Sequence, residues 1–291
     1  MPVWMQANRF ILTGYRPITP SMRTCILSIL HIHNEFANIW SHGLGALFFT
    51  GLIIQTWTVA NLARSHTASS SVSWIDHALL TLSHFGFIFC LASSAQFHVL
   101  QCHSKRVCEN CIKIDCAGIV VALLCHFTGV IFYAFYCHPI VQFVSLGLWV
   151  CLGFVSVSAV CISEFATHEY RMLRTLILVG FGVSPSLPVA YSLIAHGLGF
   201  TRKSMGLDSI GWTLLTSCVG VPTFYFHVPE RFYPRRFDIW GNSHLIWHVL
   251  IMFGMWFLRE GLLEAFYFWH DHNGDCTIPM DRMMLDNNAY T

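Results

Sequence analysis

Apolar residues run along this chain in long blocks free of charge: 36–63, 77–104, 116–163, 175–201, 209–229 and 239–258 contain no Asp, Glu, Lys or Arg. At 1.5 Å of rise per helical residue each block can cross about 30 Å of hydrocarbon, and 116–163 can cross twice. Tyr136-Cys137-His138-Pro139 supplies the break in its middle, because proline has no N–H to donate and clashes with the preceding turn. The pattern predicts an all-α fold: a seven-transmembrane helix bundle with spans near 41–62, 77–101, 114–136, 140–162, 173–195, 209–228 and 243–264. Gly-Val-Ser-Pro-Ser-Leu-Pro at 182–188 predicts a kink in the fifth span, since its two prolines free backbone carbonyls. Before the first span, Thr19-Pro20-Ser21 signals a helix start, and Cys25, Ile26, Leu27, Ile29 and Leu30 alternate with polar positions over 20–35. This predicts a short amphipathic helix lying on the cytosolic leaflet. The expected organisation is an N-terminal segment at 1–40, a transmembrane domain at 41–268 and a short tail at 269–291.

Composition agrees with lipid as the solvent. Of 291 residues 55% are hydrophobic and 11% charged, against roughly a quarter charged in soluble domains. A net charge of +1 argues against nucleic acid or any strongly acidic partner. Lys and Arg give the orientation. Arg9, Arg16, Arg23, Lys105, Arg106, Lys113, Arg171, Arg174, Arg231, Arg235 and Arg236 fall on the N-terminal side, while Arg64, Arg202, Lys203, Arg259 and Arg282 fall on the other. The bias predicts a cytosolic N-terminus. The tail, with Asp271, Asp275, Asp281 and Asp286, is then extracellular or lumenal. No cleavable leader is expected, because the first long apolar run begins near residue 41 and is too long for one. Six of the twelve cysteines lie in apolar stretches, where Cys behaves as a small hydrophobe, and no disulfide framework is expected.

The chemistry concentrates at one depth. His244 and His248 at the start of the last span are four residues apart, which stacks both imidazoles on one helical face. The second span runs the other way and ends on the same side with Ser94 and His98, again four apart, and the third begins there with Asp115. Three neutral histidines are a ligand set for zinc, with a fourth position left for water. Asp115 could orient a ligand or act as general base, and Ser94 could donate to a polarised carbonyl oxygen. Blander readings stand beside these: interfacial histidines, an Asp115 that starts a helix near Lys113, a Ser94 that bonds its own backbone. A b-type haem needs one axial ligand on each face of the ring, which three ligands at one level disfavour. Cys102, His103, Cys108 and Cys111 form a rival cluster, read as reduced and unliganded. His31, His33, His42, His84, His126, His138, His168, His196 and His227 have no partner at useful spacing and are read as packing or interfacial groups.

The blocks "LTGYRP…HNEFANIWSHGLG" at 12–45, "SSAQFHVLQCHS" at 93–104, "KIDCAGI" at 113–119, "FYAFYC" at 132–137 and "VPERFYPRRFDIWGNSHLIWH" at 228–248 resemble the progestin and adipoQ receptor family, which includes the adiponectin receptors and is related to alkaline ceramidases. "NRFILTGYRP" and "GNSHLIWH" look closest to the subgroup of its fourth vertebrate member. The resemblance implies seven helices with a cytosolic N-terminus and a Zn2+ ion held by His98, His244 and His248, with Asp115 and Ser94 on the family's metal-site positions. It also implies hydrolysis of the ceramide amide, with membrane sphingolipid as substrate, or an extracellular or steroid-like ligand for a receptor at the plasma membrane or Golgi. This chain has only about 40 residues ahead of its first span, so the resemblance does not carry a response to an adiponectin-like hormone. Three readings remain side by side: a zinc-dependent lipid amide hydrolase, a receptor with structural zinc, and a scaffold that retains partners. Oligomeric state is not legible.

Overall fold

A computed structural model describes residues 2–6, 8–66, 72–162, 168–271 and 274–276. The helices in chain order are α1 (Met22–Leu27), α2 (Phe36–His66), α3 (Trp74–Leu100), α4 (Lys105–Ala134), α5 (Pro139–Val160), α6 (Arg171–Val183), α7 (Ser186–Ser204), α8 (Leu207–Phe226) and α9 (Ser243–His270). No strand occurs among the described residues. The helices fall where the charge-free blocks lie, and local signals set their ends. Ser73 and Asp76 close a capping box at the head of α3, Ser104 caps α4, and the Asn242 side chain accepts from Leu245 N to cap α9. α4 stops at Ala134 and α5 restarts with Pro139 in its first turn, as the 136–139 break requires. The expected kink is a full interruption: α6 ends at Val183, α7 begins at Ser186, and Gly197 breaks it again with φ +83.

Phe36–Thr58, Trp74–Leu100, Lys105–Ala134, Pro139–Val160 and Met172–Ser204 are long and apolar enough to cross a membrane. α8 and α9 are less apolar; α9 carries Arg259, Glu260 and Glu264 in its second half. α3, α4 and α9 are the most buried helices and form the centre, whereas α5 and α6–α7 lie at the periphery. Ile140, Phe143, Phe154, Leu187 and Ile194 are exposed there, the arrangement expected where hydrocarbon is the solvent. Small residues let α3 and α4 approach: a Cβ on Gly86 would stand 3.0 Å from Ala122 Cα, and one on Gly118 3.1 Å from Cys90 Cα.

α1 is shorter than the predicted helix. It is capped by Ser21, passes into a 3-10 turn at Ser28–Leu30 and then becomes extended at His31. Met22, Ile26, Leu27, Leu30 and Ile32 are exposed. Residues 31–35 leave the helical path to reach the start of α2 and the end of α3, with Asn34 N bonded to Gly14 O at 2.8 Å. Two carboxylates stitch the N-terminal segment to the α8–α9 connection. Asp238 accepts from Thr13 N at 2.7 Å and Thr13 Oγ1 at 2.6 Å. Glu230, fully buried, accepts from Asn8 Nδ2 at 2.7 Å and from the Ser243 amide and hydroxyl.

At the opposite end Cys137 and Cys276 form a disulfide, which corrects the expectation that no disulfide framework exists. Cys137 sits in the α4–α5 break and Cys276 just past α9, so the fold joins residues 139 apart that no spacing rule connects. Beside it, Tyr136 stacks on Trp269 at 4.9 Å, and buried Asp76 accepts from Tyr133 Oη at 2.8 Å and lies 3.0 Å from His270 Nε2. The tail residues Asp281 and Asp286 lie outside the described residues.

Candidate metal centre

Three helix ends meet at the N-terminal side of the bundle. The cap at Asn242 fixes the start of α9, so His244 and His248 project one turn apart; α3, running the other way, delivers His98 in its last turn. Their ligand nitrogens all lie within 4.8 Å of one another. His98 and His248 are buried and His244 half-buried. His98 Nε2 and His244 Nε2 are 3.1 Å apart; two nitrogens bound at 2.0–2.1 Å to one tetrahedral zinc stand about 3.4 Å apart.

The second nitrogens decide what these rings can hold. His98 Nδ1 lies 2.8 Å from Glu35 Oε2. An ionised carboxylate only accepts, so Nδ1 carries the proton and Nε2 keeps its lone pair. Glu35 is held by Asn34 Nδ2 at 2.9 Å and Asn38 Nδ2 at 2.7 Å. Burial pushes its carboxyl up, but the bonds from His98 and Asn38 outweigh burial and keep it below the usual carboxylate range. His248 Nδ1 is 3.0 Å from Ser41 Oγ, whose single hydrogen is donated to Asn38 O at 3.0 Å. Ser41 must therefore accept, and His248 Nε2 is left free as well. Two buried rings with a free Nε2, in a trio whose ligand nitrogens lie within 4.8 Å of one another, fit a divalent cation with nitrogen preference.

Asp115 and Ser94 are brought to the same end but outside the convergent set. Ser94, buried, donates to the Asp115 carboxylate, which lies within electrostatic reach of His98 and Arg174. The Ser94 hydroxyl is thus engaged with the carboxylate. The cysteines of the rival cluster are free thiols, as read: Cys102, Cys108 and Cys111 pack with Cys25, Met5, Phe97 and Leu100 in one apolar cluster, with the Cys102 thiol against that of Cys25.

Sequence reasoning missed the head of α2. Glu35, Asn38, Ser41 and His42 recur on one helical face at spacings of three and four, a signal that could have flagged them. His42, read as a packing group, is buried and stacked on His248 at 3.5 Å with planes 12° apart. Both its ring nitrogens lack a hydrogen-bond partner. Because Glu35 fixes the His98 tautomer, Glu35→Gln is expected to weaken metal affinity about 10–100-fold, read by competition with a chromophoric chelator.

A family model described as haemolysin-III related matches residues 30–258, a stretch that holds Glu35, Ser41, His42, Ser94, His98, Asp115, His244 and His248. The chain belongs to the haemolysin-III related family. Relatives agree along most of its length. It is 31% identical over 284 residues to the adiponectin receptor protein of Drosophila melanogaster, covering 97% of this chain and 61% of that one. To progestin and adipoQ receptor-like protein 1 of Caenorhabditis elegans it is 27% identical, covering 91% and 59%. To progestin and adipoQ receptor family member 3 of Homo sapiens it is 30% identical, covering 93% and 85%. The chain thus spans about three fifths of the length of the fly and worm relatives. Its long apolar helices and these relatives make this haemolysin-III related chain an integral membrane protein.

Proposed function

We propose that this chain is a seven-span membrane signalling protein of the progestin and adipoQ receptor type, with a zinc ion on His98, His244 and His248 and lipid amide hydrolase activity toward ceramide or a similar sphingolipid. The observation that carries the reading is the convergence of two tautomer-fixed Nε2 atoms and a third imidazole on one point. α8 and α9 complete the seven crossings, with 1–40 cytosolic, 41–268 in the membrane and the tail from 269 outside or in a lumen, at the plasma membrane or Golgi. The free thiols Cys25, Cys102, Cys108 and Cys111 cluster at the histidine end, while Cys137 and Cys276 are oxidised at the other. Disulfides persist in oxidising compartments, so this asymmetry favours a cytosolic histidine end, in line with the Lys and Arg bias.

When bound, zinc with three histidine ligands supplies a Lewis acid and lowers the pKa of water to about 7. The chain's residues do the rest. Glu35 and Ser41 hold the His98 and His248 rings in their ligating orientation. Ser94 orients the Asp115 carboxylate through its hydrogen bond. An Asp115 oxygen accepts the proton of the attacking water and returns it to the amide nitrogen as the C–N bond breaks and the amine leaves, the acyl part remaining as the fatty acid. A purely structural ion, with the chain as a scaffold, is the second reading; the burial of His98 and His248 and the ties from α2 to both rings favour it. Detergent-purified protein is expected to hold one zinc per chain by elemental analysis and to release fatty acid from ceramide by lipid mass spectrometry. Zinc without fatty acid release leaves the structural reading; no zinc overturns both.

A further inference from the structure

One turn beyond His98, a second pair of reactive side chains takes no part in the proposed metal site. The Cys102 thiol, in the turn after α3, lies 3.6 Å from the Cys25 thiol of α1, 77 residues away in sequence. Both are buried. Two ties hold them together: Thr19 N bonds Cys102 O at 3.0 Å, and the Arg16 guanidinium bonds Ser28 Oγ at 2.8 Å and Val99 O at 2.9 Å. A cavity of about 80 Å³ lies against the pair, lined by Cys25 and Cys102 with Arg16, Pro17, Thr19, Thr24 and Ser28. Pro17 and Thr24 are exposed and form its rim. Such a space admits a molecule the size of water or hydrogen peroxide and excludes a tripeptide thiol.

We propose that Cys25 and Cys102 are a redox-active dithiol that a small hydroperoxide oxidises to a disulfide, fastening α1 to the turn after α3. One sulfur attacks the peroxide O–O bond, an S–O bond forms, and water leaves. The second thiol then displaces the sulfenic hydroxyl as a second water and the S–S bond closes. Two thiols and one hydrogen peroxide thus yield one disulfide and two waters, with two electrons passing from sulfur to oxygen. The Arg16 guanidinium in the cavity wall favours the thiolate that attacks. Burial, and then the bond with Cys102, pushes the Cys25 thiol up to about 11, so Cys25 rests protonated at neutral pH and reacts slowly. Arg16 also bonds His98 O at 2.5 Å, so the crosslink would stiffen the backbone that carries His98.

The test uses the full chain in detergent, exposed to millimolar hydrogen peroxide, then denatured, alkylated, digested and analysed by mass spectrometry. The expected result is a Cys25–Cys102 crosslinked peptide lighter by two hydrogens than its reduced halves and released by reductant, together with a raised melting temperature that Cys102→Ser abolishes. The proposal falls if Cys25 and Cys102 are both fully alkylated in a sample where exposed Cys151 or Cys218 has been oxidised. It falls equally if Cys102 pairs with Cys108 instead.

Discussion

Replacing His98 by alanine is expected to remove the metal and loosen the histidine end of the bundle together. His98 offers Nε2 to the convergent point and Nδ1 to Glu35, so its loss deletes a ligand and strips a largely buried carboxylate, 16% exposed, of a hydrogen-bond donor. Leaving a buried acceptor without one of its donors costs about 1–3 kcal/mol, of which the amides of Asn34 and Asn38 recover part. Metal affinity should fall by more than the ~10–100-fold expected for an outer partner such as Glu35. His244→Ala separates the two effects, because His244 is half-buried and the bond between His98 and Glu35 stays in place in that variant. It should lose the metal with a smaller drop in melting temperature. Elemental analysis and thermal melts on the three purified proteins give the comparison. A His98→Ala protein with a full zinc complement would remove the basis for the metal site.

Whether each feature could be read from sequence depended on how far apart its determinants lie. The long helices were legible because absence of charge is a local property, and the α4–α5 break was legible because Pro139 acts on its own turn. The histidine trio was legible because a spacing of four plus an alternating topology brings His98, His244 and His248 to one depth without knowledge of packing. Glu35, Ser41 and His42 were not, since their roles appear only once the head of α2 is laid across α3 and α9. The same holds for Cys137 with Cys276 and Cys25 with Cys102, pairs 139 and 77 residues apart that only tertiary contact brings together. The amphipathic helix was overextended because alternation of apolar residues continues past Leu30, while the backbone turns extended at His31 to carry Asn34 and Glu35 inward.

Asp115→Asn is the substitution expected to separate chemistry from metal retention most widely. Asparagine matches aspartate in shape, and its Oδ1 can still accept from Ser94, so the local packing of α3 against α4 is preserved. What it cannot do is hold a proton at near-neutral pH. Asp115 lies outside the convergent nitrogen set, so zinc content should stay at the wild-type level. Loss of a general base costs about 10²–10⁴-fold in rate, and because substrate contacts are untouched the loss should appear in kcat with KM little changed. Ser94→Ala should give a smaller loss of the same kind, since it frees the carboxylate to rotate without removing it. If Asp115→Asn lost its zinc, the carboxylate would be a ligand and the three-histidine arrangement would be incomplete. If it kept both zinc and full turnover, the proton would have to be carried by another group.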